Sequence, residues 1–311
     1  MKSFILLLLM SAQIQAAEVA AAITVVATPT PVIPGNEIML FDIKQDTVDK
    51  LELSAGKNIT NQPGYDSQPR FSKDGDTLYY THAVETTDGS QMDIYQYQLS
   101  TGKTKPYMIT SESEYSPTPL QDKNGLSVVQ VDTQGDQYIV ILDADAEAGK
   151  QMKRYSDLKQ VGYFNWTSGH KNWSFVLNDA GGGDLFHMGK GKKPFLLSKN
   201  IGRTFVNDAT NKLIYYVDKN TKPWRIKSRS AASIDAKDIM PLPMGVEDFT
   251  LDSKGRFWAG RNNTLFVSTD QQKWFIVAEF NDPNLHQITR LTTNPMADKI
   301  AIVFAEKTLN E

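Results

Sequence analysis

A unit of similar layout recurs along this chain, and its spacing restricts the fold more than any other feature. In each copy an apolar residue is followed by a polar turn and then by an apolar, β-rich run, as in "FSKDGDTLYY" from Phe71. The residues that open the copies are Phe71, Pro119, Trp166, Val206, Leu251 and Leu291. Consecutive openings are 48, 47, 40, 45 and 40 residues apart, the spacing of a repeat architecture.

The pattern inside each copy indicates β-strands. After each opening unit, a second segment follows in which apolar residues often recur at every second position, as in a half-buried strand. Asp74-Gly75 and Asn124-Gly125 suit the tight turns of β-hairpins. Because four short antiparallel strands in 40 to 48 residues make a propeller blade, we predict an all-β, six-bladed β-propeller, with seven blades as the main alternative.

The two ends of the chain are each expected to supply half a blade. The segment "NEIMLFDIKQDTVDKLELS" has the pattern of two outer strands, and "HQITRLTTNPMADKIAIVFAE" has that of two inner strands. Joined, they complete one blade and close the ring, which leaves no exposed strand edge between the first and last blades. The propeller is therefore expected to span 35–306, with a short tail at 307–311.

The first residues have the layout of a secretory signal peptide. Lys2 precedes an apolar run from Phe4 to Met10, and small residues follow. We expect a signal peptide at 1–16 and an Ala/Thr/Pro-rich linker at 17–34. The chain has no cysteine, so no disulfide can form. We expect a soluble monomer that is periplasmic or secreted and has no transmembrane segment.

Composition and local motifs exclude several classes of function. The net charge of −3 provides no basic footprint for nucleic acid. The four histidines are scattered without metal-ligand spacing. GxSxG, SxxK and P-loop signatures are missing as well. We therefore assign no catalytic residue and expect no cofactor, with a channel-bound divalent cation as the alternative.

One blade carries a resemblance to a known family. "YDSQPRFSKDGDTLYYT" and "QMDIYQYQLSTGKTKPYMIT" resemble the two halves of the TolB-type β-propeller repeat, and the match fades over the following blades. The resemblance implies a periplasmic propeller that binds other macromolecules. TolB carries an α/β domain before its propeller, and the segment at 17–34 is too short for one. We therefore expect that domain to be absent here.

Propeller geometry directs attention to one end of the predicted channel. The first strand of each blade lines the channel, so the residues a few positions before each opening converge at one mouth. These residues are Asp66, Ser67, Glu114, Tyr115, Gly162, Gly202, Arg203, Glu247, Asp248, His286, Gln287 and Arg290. Their four carboxylates could bind a cation, a basic side chain or a polar ligand. Alternatively, the carboxylates pair with Arg203 and Arg290 or cap turns.

Three functions are compatible with these features. The first is a non-enzymatic scaffold that binds a protein or peptide of the cell envelope at the channel mouth. The second is a metal-dependent hydrolase or lactonase with Asp66, Glu114, Glu247 and Asp248 as ligands. The third is a carbohydrate-binding module that uses strand aromatics. The lack of a histidine or asparagine set at matching positions favours the first.

Overall fold

The fold is known from a computed structural model. The structure describes residues 35–306, apart from short gaps at 48–49, 88, 146–150, 168–169, 209–211, 231–232, 234 and 283–284. The predicted signal peptide at 1–16, the linker at 17–34 and the tail at 307–311 lie outside the described residues.

All regular elements in the described residues are β-strands, as the alternating sequence pattern predicts. Among these residues no helix is long and apolar enough to cross a membrane. In chain order the strands are β1 (Asn36–Thr47), β2 (Lys50–Leu53), β3 (Lys57–Asn58), β4 (Asp66–Phe71), β5 (Thr77–Thr86), β6 (Gly89–Gln98), β7 (Lys103–Met108), β8 (Ser113–Pro119), β9 (Gly125–Val131), β10 (Gln137–Asp143), β11 (Gln151–Arg154), β12 (Val161–Thr167), β13 (Lys171–Leu177), β14 (Gly183–Gly189), β15 (Phe195–Asp208), β16 (Leu213–Asp218), β17 (Arg225–Arg229), β18 (Lys237–Pro241), β19 (Phe249–Leu251), β20 (Phe257–Arg261), β21 (Thr264–Ser268), β22 (Phe275–Glu279), β23 (Gln287–Thr293) and β24 (Lys299–Ala305).

Three of the sheets are four-stranded antiparallel units made of consecutive strands. They contain β4 to β7, β8 to β11, and β19 to β22, in sequence order. In the first of them the predicted Asp74-Gly75 turn joins β4 to β5. Gly75 has φ of +75°, and its amide donates to the Ser72 carbonyl at 3.0 Å. A side chain at this backbone angle is unfavourable, so the turn favours glycine.

A seven-stranded sheet, β12 to β18, occupies the region where the repeat pattern is weakest. Its long strand β15 pairs with β14 through its first half and with β16 through its second half. Ile201 is the crossing point, because it lies opposite both Gly183 and Asp218. Two four-stranded groups therefore share one continuous strand, an arrangement that the sequence pattern does not predict.

The two ends of the described chain meet in one sheet, in the strand order β2-β1-β24-β23. Strand β1 pairs with β24 from Asn36 opposite Ala305 to Asp42 opposite Lys299. An ion pair of 2.5 Å joins Lys299 Nζ to Asp42 Oδ1 at one end of this register. The prediction that both terminal segments complete a single sheet is confirmed by this pairing.

Apolar side chains between neighbouring sheets form the core. Trp258 of β20 packs in one cluster with Ile300 and Ile302 of β24, and Tyr80 of β5 packs in another with Ile38 of β1. All five side chains are completely buried. Burial of aromatic and branched apolar surface is the main source of stability here, as expected for a chain without disulfides.

Six strands surround the middle of the molecule and are called here the inner strands: β4, β8, β12, β15, β19 and β23. Each inner strand contacts the next one, and β23 contacts β4, so the six form a closed ring. Most of them are interrupted by a bulge near their first residues. In β4 and β8 the bulge includes a residue with positive φ, Gln68 at 57° and Ser116 at 54°.

Candidate functional site

The inner strands enclose a central cavity of about 110 Å³. Each inner strand, or the residue directly before it, contributes side chains to its wall. The lining segments are Gln68–Arg70, Ser116–Thr118, Tyr163–Phe164, Arg203–Val206, Asp248–Thr250 and Arg290–Thr292. The bulges lie among these residues, and bulges commonly redirect side chains next to functional sites.

One side of the cavity holds a network of two arginines around a carboxylate. Arg203 Nε donates to Asp248 Oδ2 at 3.0 Å, and Arg203 Nη2 donates to the same oxygen and to the Thr289 carbonyl. Arg290 Nη1 lies 3.7 Å from Asp248 Oδ1, which also accepts a hydrogen bond from Thr204. The network joins β15, β19 and β23, so it holds neighbouring inner strands together.

The charges of this network stabilise one another. Burial alone would raise the pKa of Asp248, but Arg203 and Arg290 outweigh that effect and lower it. For Arg203, burial acts to lower the pKa, while the Asp248 carboxylate more than compensates and raises it. Asp248 and Arg203 are therefore ionised at neutral pH. The Arg203 side chain is 33% exposed, so solvent reaches this part of the cavity wall.

Arg290 also makes a contact with β12. Its Nη2 donates to the Tyr163 hydroxyl at 2.7 Å, and its guanidinium carbon lies 5.1 Å from the centre of the Tyr163 ring. The second distance is within the range of a cation–π interaction. Since Arg290 lies on β23, this contact joins strands that are not neighbours in the ring.

On the other side of the cavity, two predicted carboxylates are buried between strands. Asp66 lies opposite His82, and its Oδ1 is 2.8 Å from His82 Nδ1. Glu114 occupies the matching position in the next sheet, opposite Gln130, which donates to its Oε1 at 2.9 Å. The second oxygens of both carboxylates, Asp66 Oδ2 and Glu114 Oε2, have no hydrogen-bond partner in the described part of the chain.

Burial affects the protonation of both carboxylates. It raises the pKa of Asp66, although hydrogen bonding to His82 partly offsets the shift. It raises the pKa of Glu114 to about 7, despite hydrogen bonds from Gln130 and Thr110. A buried carboxylate with one unpartnered oxygen favours its neutral form, because charge is costly to remove from water. Neither group lines the central cavity.

The remaining predicted residues also lie outside the cavity lining. Ser67 is buried in β4, and Tyr115 of β8 packs against a neighbouring apolar cluster, where burial raises its pKa. Glu247 Oε1 accepts hydrogen bonds from the Arg203 backbone amide at 2.9 Å and from Lys219 Nζ at 3.3 Å. His286 Nε2 is buried and has no partner among the described residues.

The structure therefore brings together Arg203, Asp248 and Arg290 from the predicted set. Of the four carboxylates expected to face one pore, Asp248 alone lines the cavity, and it is paired with arginines. The alternative of pairing with Arg203 and Arg290 describes Asp248, whereas Asp66 and Glu114 contact His82 and Gln130 instead. Within the described ranges, no three acidic or histidine side chains are arranged to hold a metal ion.

Solved structures with low sequence identity share this architecture. A putative TolB from Agrobacterium tumefaciens is similar over 89% of this chain and 100% of its own, with a TM-score of 0.64 and 15% identity. TolB from Acinetobacter baumannii is similar over 88% of this chain and 65% of its own, with a TM-score of 0.54 and 12% identity. The chain has a TolB-type β-propeller fold.

Other propellers with different activities share the TolB-type fold. A gluconolactonase from Xanthomonas campestris is similar over 89% of this chain and 99% of its own, with a TM-score of 0.58 and 11% identity. No family model matches the sequence, and no curated protein matches it. Identity this low indicates a common fold, and the function of this TolB-type propeller has to be argued from its own site.

Gln68, Tyr163 and Arg70 are among the lining residues of this TolB-type propeller that sequence reasoning missed. Gln68 Oε1 accepts from the Ser116 backbone amide at 2.6 Å and so links β4 to β8. Tyr163 binds Arg290, as described above. Arg70 is the third, and it forms no ion pair or side-chain hydrogen bond with any described residue. Its place directly before the Phe71 opening is the one signal in the sequence that points to it.

Proposed function

We propose that this chain is a six-bladed, TolB-type propeller that binds a protein or peptide partner through its central cavity and is not an enzyme. The observation that carries the proposal is the composition of the cavity wall. Its charged side chains are three arginines and one aspartate, and the aspartate is already bound by two of the arginines. Such a wall suits recognition of a polar or acidic group better than metal-assisted hydrolysis.

Six blades are favoured over seven by the ring of inner strands. Six inner strands contact one another in a closed order, and each begins a group of four strands when β15 is counted in both of its groups. A seventh blade would require an inner strand that the ring of contacts does not contain. The weak repeat pattern near Trp166 and Val206 is explained by the shared strand.

A metal-dependent hydrolase or lactonase is the alternative. The gluconolactonase fold similarity motivates it, with Asp66, Glu114, Glu247 and Asp248 as the candidate ligands. These side chains are committed to His82, Gln130, Lys219 and Arg203, respectively. No divalent cation is therefore part of the proposal. A carbohydrate-binding role is disfavoured where the strand aromatics are buried, as Tyr80 and Trp258 are.

The proposed setting is the periplasm or the extracellular space, with the propeller as a monomer. The support is the layout of the first residues, with Lys2 before an apolar run and small residues after it. The partner is then a protein or peptide of the cell envelope. A net charge of −3 gives no support to a nucleic-acid partner.

Site-specific photo-crosslinking in cell-envelope extract tests the proposal. A benzophenone side chain replaces Tyr163 in the cavity wall or, as the control, Phe195, which is 64% exposed on the outer half of β15. We expect a discrete crosslinked protein or peptide from position 163 and none from position 195. Crosslinks only from position 195, or none from either, would contradict binding at the cavity.

Hydrolysis is tested separately. We expect no turnover of aldonolactones with added calcium, manganese or zinc, and no metal-dependent rise in melting temperature. Metal-dependent turnover that disappears in Glu114→Ala or Glu247→Ala would replace the binding proposal with the hydrolase.

A further inference from the structure

Arg70 differs from the other arginines of this molecule. Six of the eight arginines in the sequence make an ion pair or a side-chain hydrogen bond: Arg154, Arg203, Arg225, Arg229, Arg256 and Arg290. In the described part of the chain, Arg70 and Arg261 do neither. Arg261 is exposed at the end of β20, where water satisfies it. Arg70 is partly buried and lines the central cavity.

The position of Arg70 in its strand is also unusual. It lies opposite Tyr79 in the pairing of β4 with β5. In three other inner strands the matching position holds a threonine: Thr118 opposite Ser127, Thr250 opposite Trp258, and Thr292 opposite Ala301. All three threonines line the same cavity. A long cationic residue therefore occupies a position of the cavity lining where three matching strands carry threonine.

The charge of the cavity wall is not balanced. Arg70, Arg203 and Arg290 contribute three positive charges, and Asp248 contributes one negative charge. Burial lowers the pKa of Arg70, because no neighbouring carboxylate compensates for the loss of water. An arginine nevertheless stays protonated at neutral pH. A partly buried cation without a counter-charge is unfavourable unless an anion approaches it.

The size of the cavity limits what that anion can be. Its volume is about 110 Å³. One carboxylate or phosphate group fits such a space, whereas a folded peptide segment does not. A planar guanidinium binds either group through two parallel hydrogen bonds.

We propose that Arg70 anchors an oxyanion, a carboxylate or phosphate group carried by the ligand of the central cavity. The proposal rests on the cavity being the binding site of this propeller. It adds the chemical class of the ligand group that enters the cavity: an acidic side chain, a chain-terminal carboxylate or a phosphate ester. Arg203 and Arg290 outnumber Asp248, so their cluster adds one net positive charge, and the hydroxyls of Thr250 and Thr292 can supply further donors.

Anion titration of the isolated protein tests this inference without the partner. Melting temperature is followed against sodium phosphate and, separately, sodium acetate, with sodium chloride added to keep ionic strength constant. The variant is Arg70→Thr, which introduces the residue found in the matching strands. The control is Arg261→Thr, which removes the same charge at an exposed site.

We expect at least one of the two anions to raise the melting temperature of the wild type. Loss of a bidentate, charge-assisted contact should weaken apparent affinity about tenfold or more in Arg70→Thr. In Arg261→Thr the affinity should match that of the wild type, and Arg70→Lys should give an intermediate value. The anion with the larger effect identifies the class of ligand group.

The inference is wrong if neither anion stabilises the wild type, or if Arg70→Thr and Arg261→Thr weaken binding equally. Circular dichroism and the melting temperature without added anion establish that each variant is folded. The result is independent of the crosslinking experiment. Arg70-dependent anion binding without a crosslinked partner would overturn the proposed partner and leave the anion site, and the reverse outcome would overturn the anion site alone.

Discussion

Charged side chains are paired on one side of the central cavity, whereas on the other side an arginine is unpaired. On one side, Arg203 and Arg290 share the Asp248 carboxylate, and the cluster joins three inner strands. On the other side, Arg70 has no counter-charge, and the nearby carboxylates of Asp66 and Glu114 are buried away from the cavity. Because Arg203 and Arg290 are already paired with Asp248, they are less available to a ligand. Arg70 has no such partner and can bind one. The first side should therefore support stability and the second recognition.

The largest effect is expected from Asp248→Ala. Removal of this carboxylate leaves two arginines without their counter-charge and should lower the free energy of unfolding by about 3 kcal/mol. Urea denaturation measures the loss. Asp238→Ala is the control, because the Asp238–Arg225 pair is exposed and should contribute at most about 1 kcal/mol. Equal losses in the two variants would contradict a structural role for the paired side.

Glu114→Gln is expected to stabilise the protein by about 2 kcal/mol at pH 8. The pKa of Glu114 is about 7 in the folded state, against an ordinary value of 4.5. As pH rises from 4.5 to 7, the unfolded chain loses this proton first, so the wild type loses stability over that range. An amide does not titrate and still accepts hydrogen bonds through its carbonyl oxygen.

Urea denaturation at pH 4 and pH 8 measures this difference. The advantage of Glu114→Gln should be present at pH 8 and nearly vanish at pH 4, where the wild-type carboxyl is protonated in both states. Glu85→Gln, at an exposed position, should show no such change between the two pH values. A gain from Glu114→Gln that is the same at both pH values would contradict the role of protonation.

Tyr163→Phe should have a smaller effect, a loss of about 1 kcal/mol in the free energy of unfolding. The variant removes the hydroxyl that accepts from Arg290 at 2.7 Å and leaves the ring under the guanidinium. Tyr138→Phe is the comparison, because its hydroxyl makes a longer contact of 3.3 Å with Asp136. No loss in Tyr163→Phe would mean that the contact between β12 and β23 does not stabilise the fold.

The smallest effect on stability is expected from Arg70→Thr, with a change within about 1 kcal/mol in buffer without phosphate or carboxylates. Arg70 has no ion-pair partner, so its removal breaks no pair. Arg203→Thr breaks the pair with Asp248 and should clearly destabilise the protein. Urea denaturation of both variants compares the two sides of the cavity directly. A loss in Arg70→Thr as large as that in Arg203→Thr would remove the distinction between them.

The repeat pattern predicted the strands well, and it predicted the meeting of both chain ends in one sheet. Alternation of apolar residues determines which face of a strand is buried, and this information is local. It did not predict that β15 continues unbroken through Ile201, because a strand shared by two groups satisfies the same alternation as two separate strands. At the cavity, sequence position selected Arg203, Asp248 and Arg290 but also nine residues that do not line it.

By itself, the sequence determined the architecture: an all-β chain of repeats with alternating strands and Asp-Gly or Asn-Gly turns. Only the tertiary structure decided which charged side chains pair with one another and which stay unpaired. Whether a carboxylate meets an arginine, a histidine or no partner depends on bulges and on contacts between strands more than 40 residues apart, such as Arg203 with Asp248. Electrostatic energy depends on the distances between charged groups and on their burial. Neither quantity can be derived from residues that are adjacent in sequence.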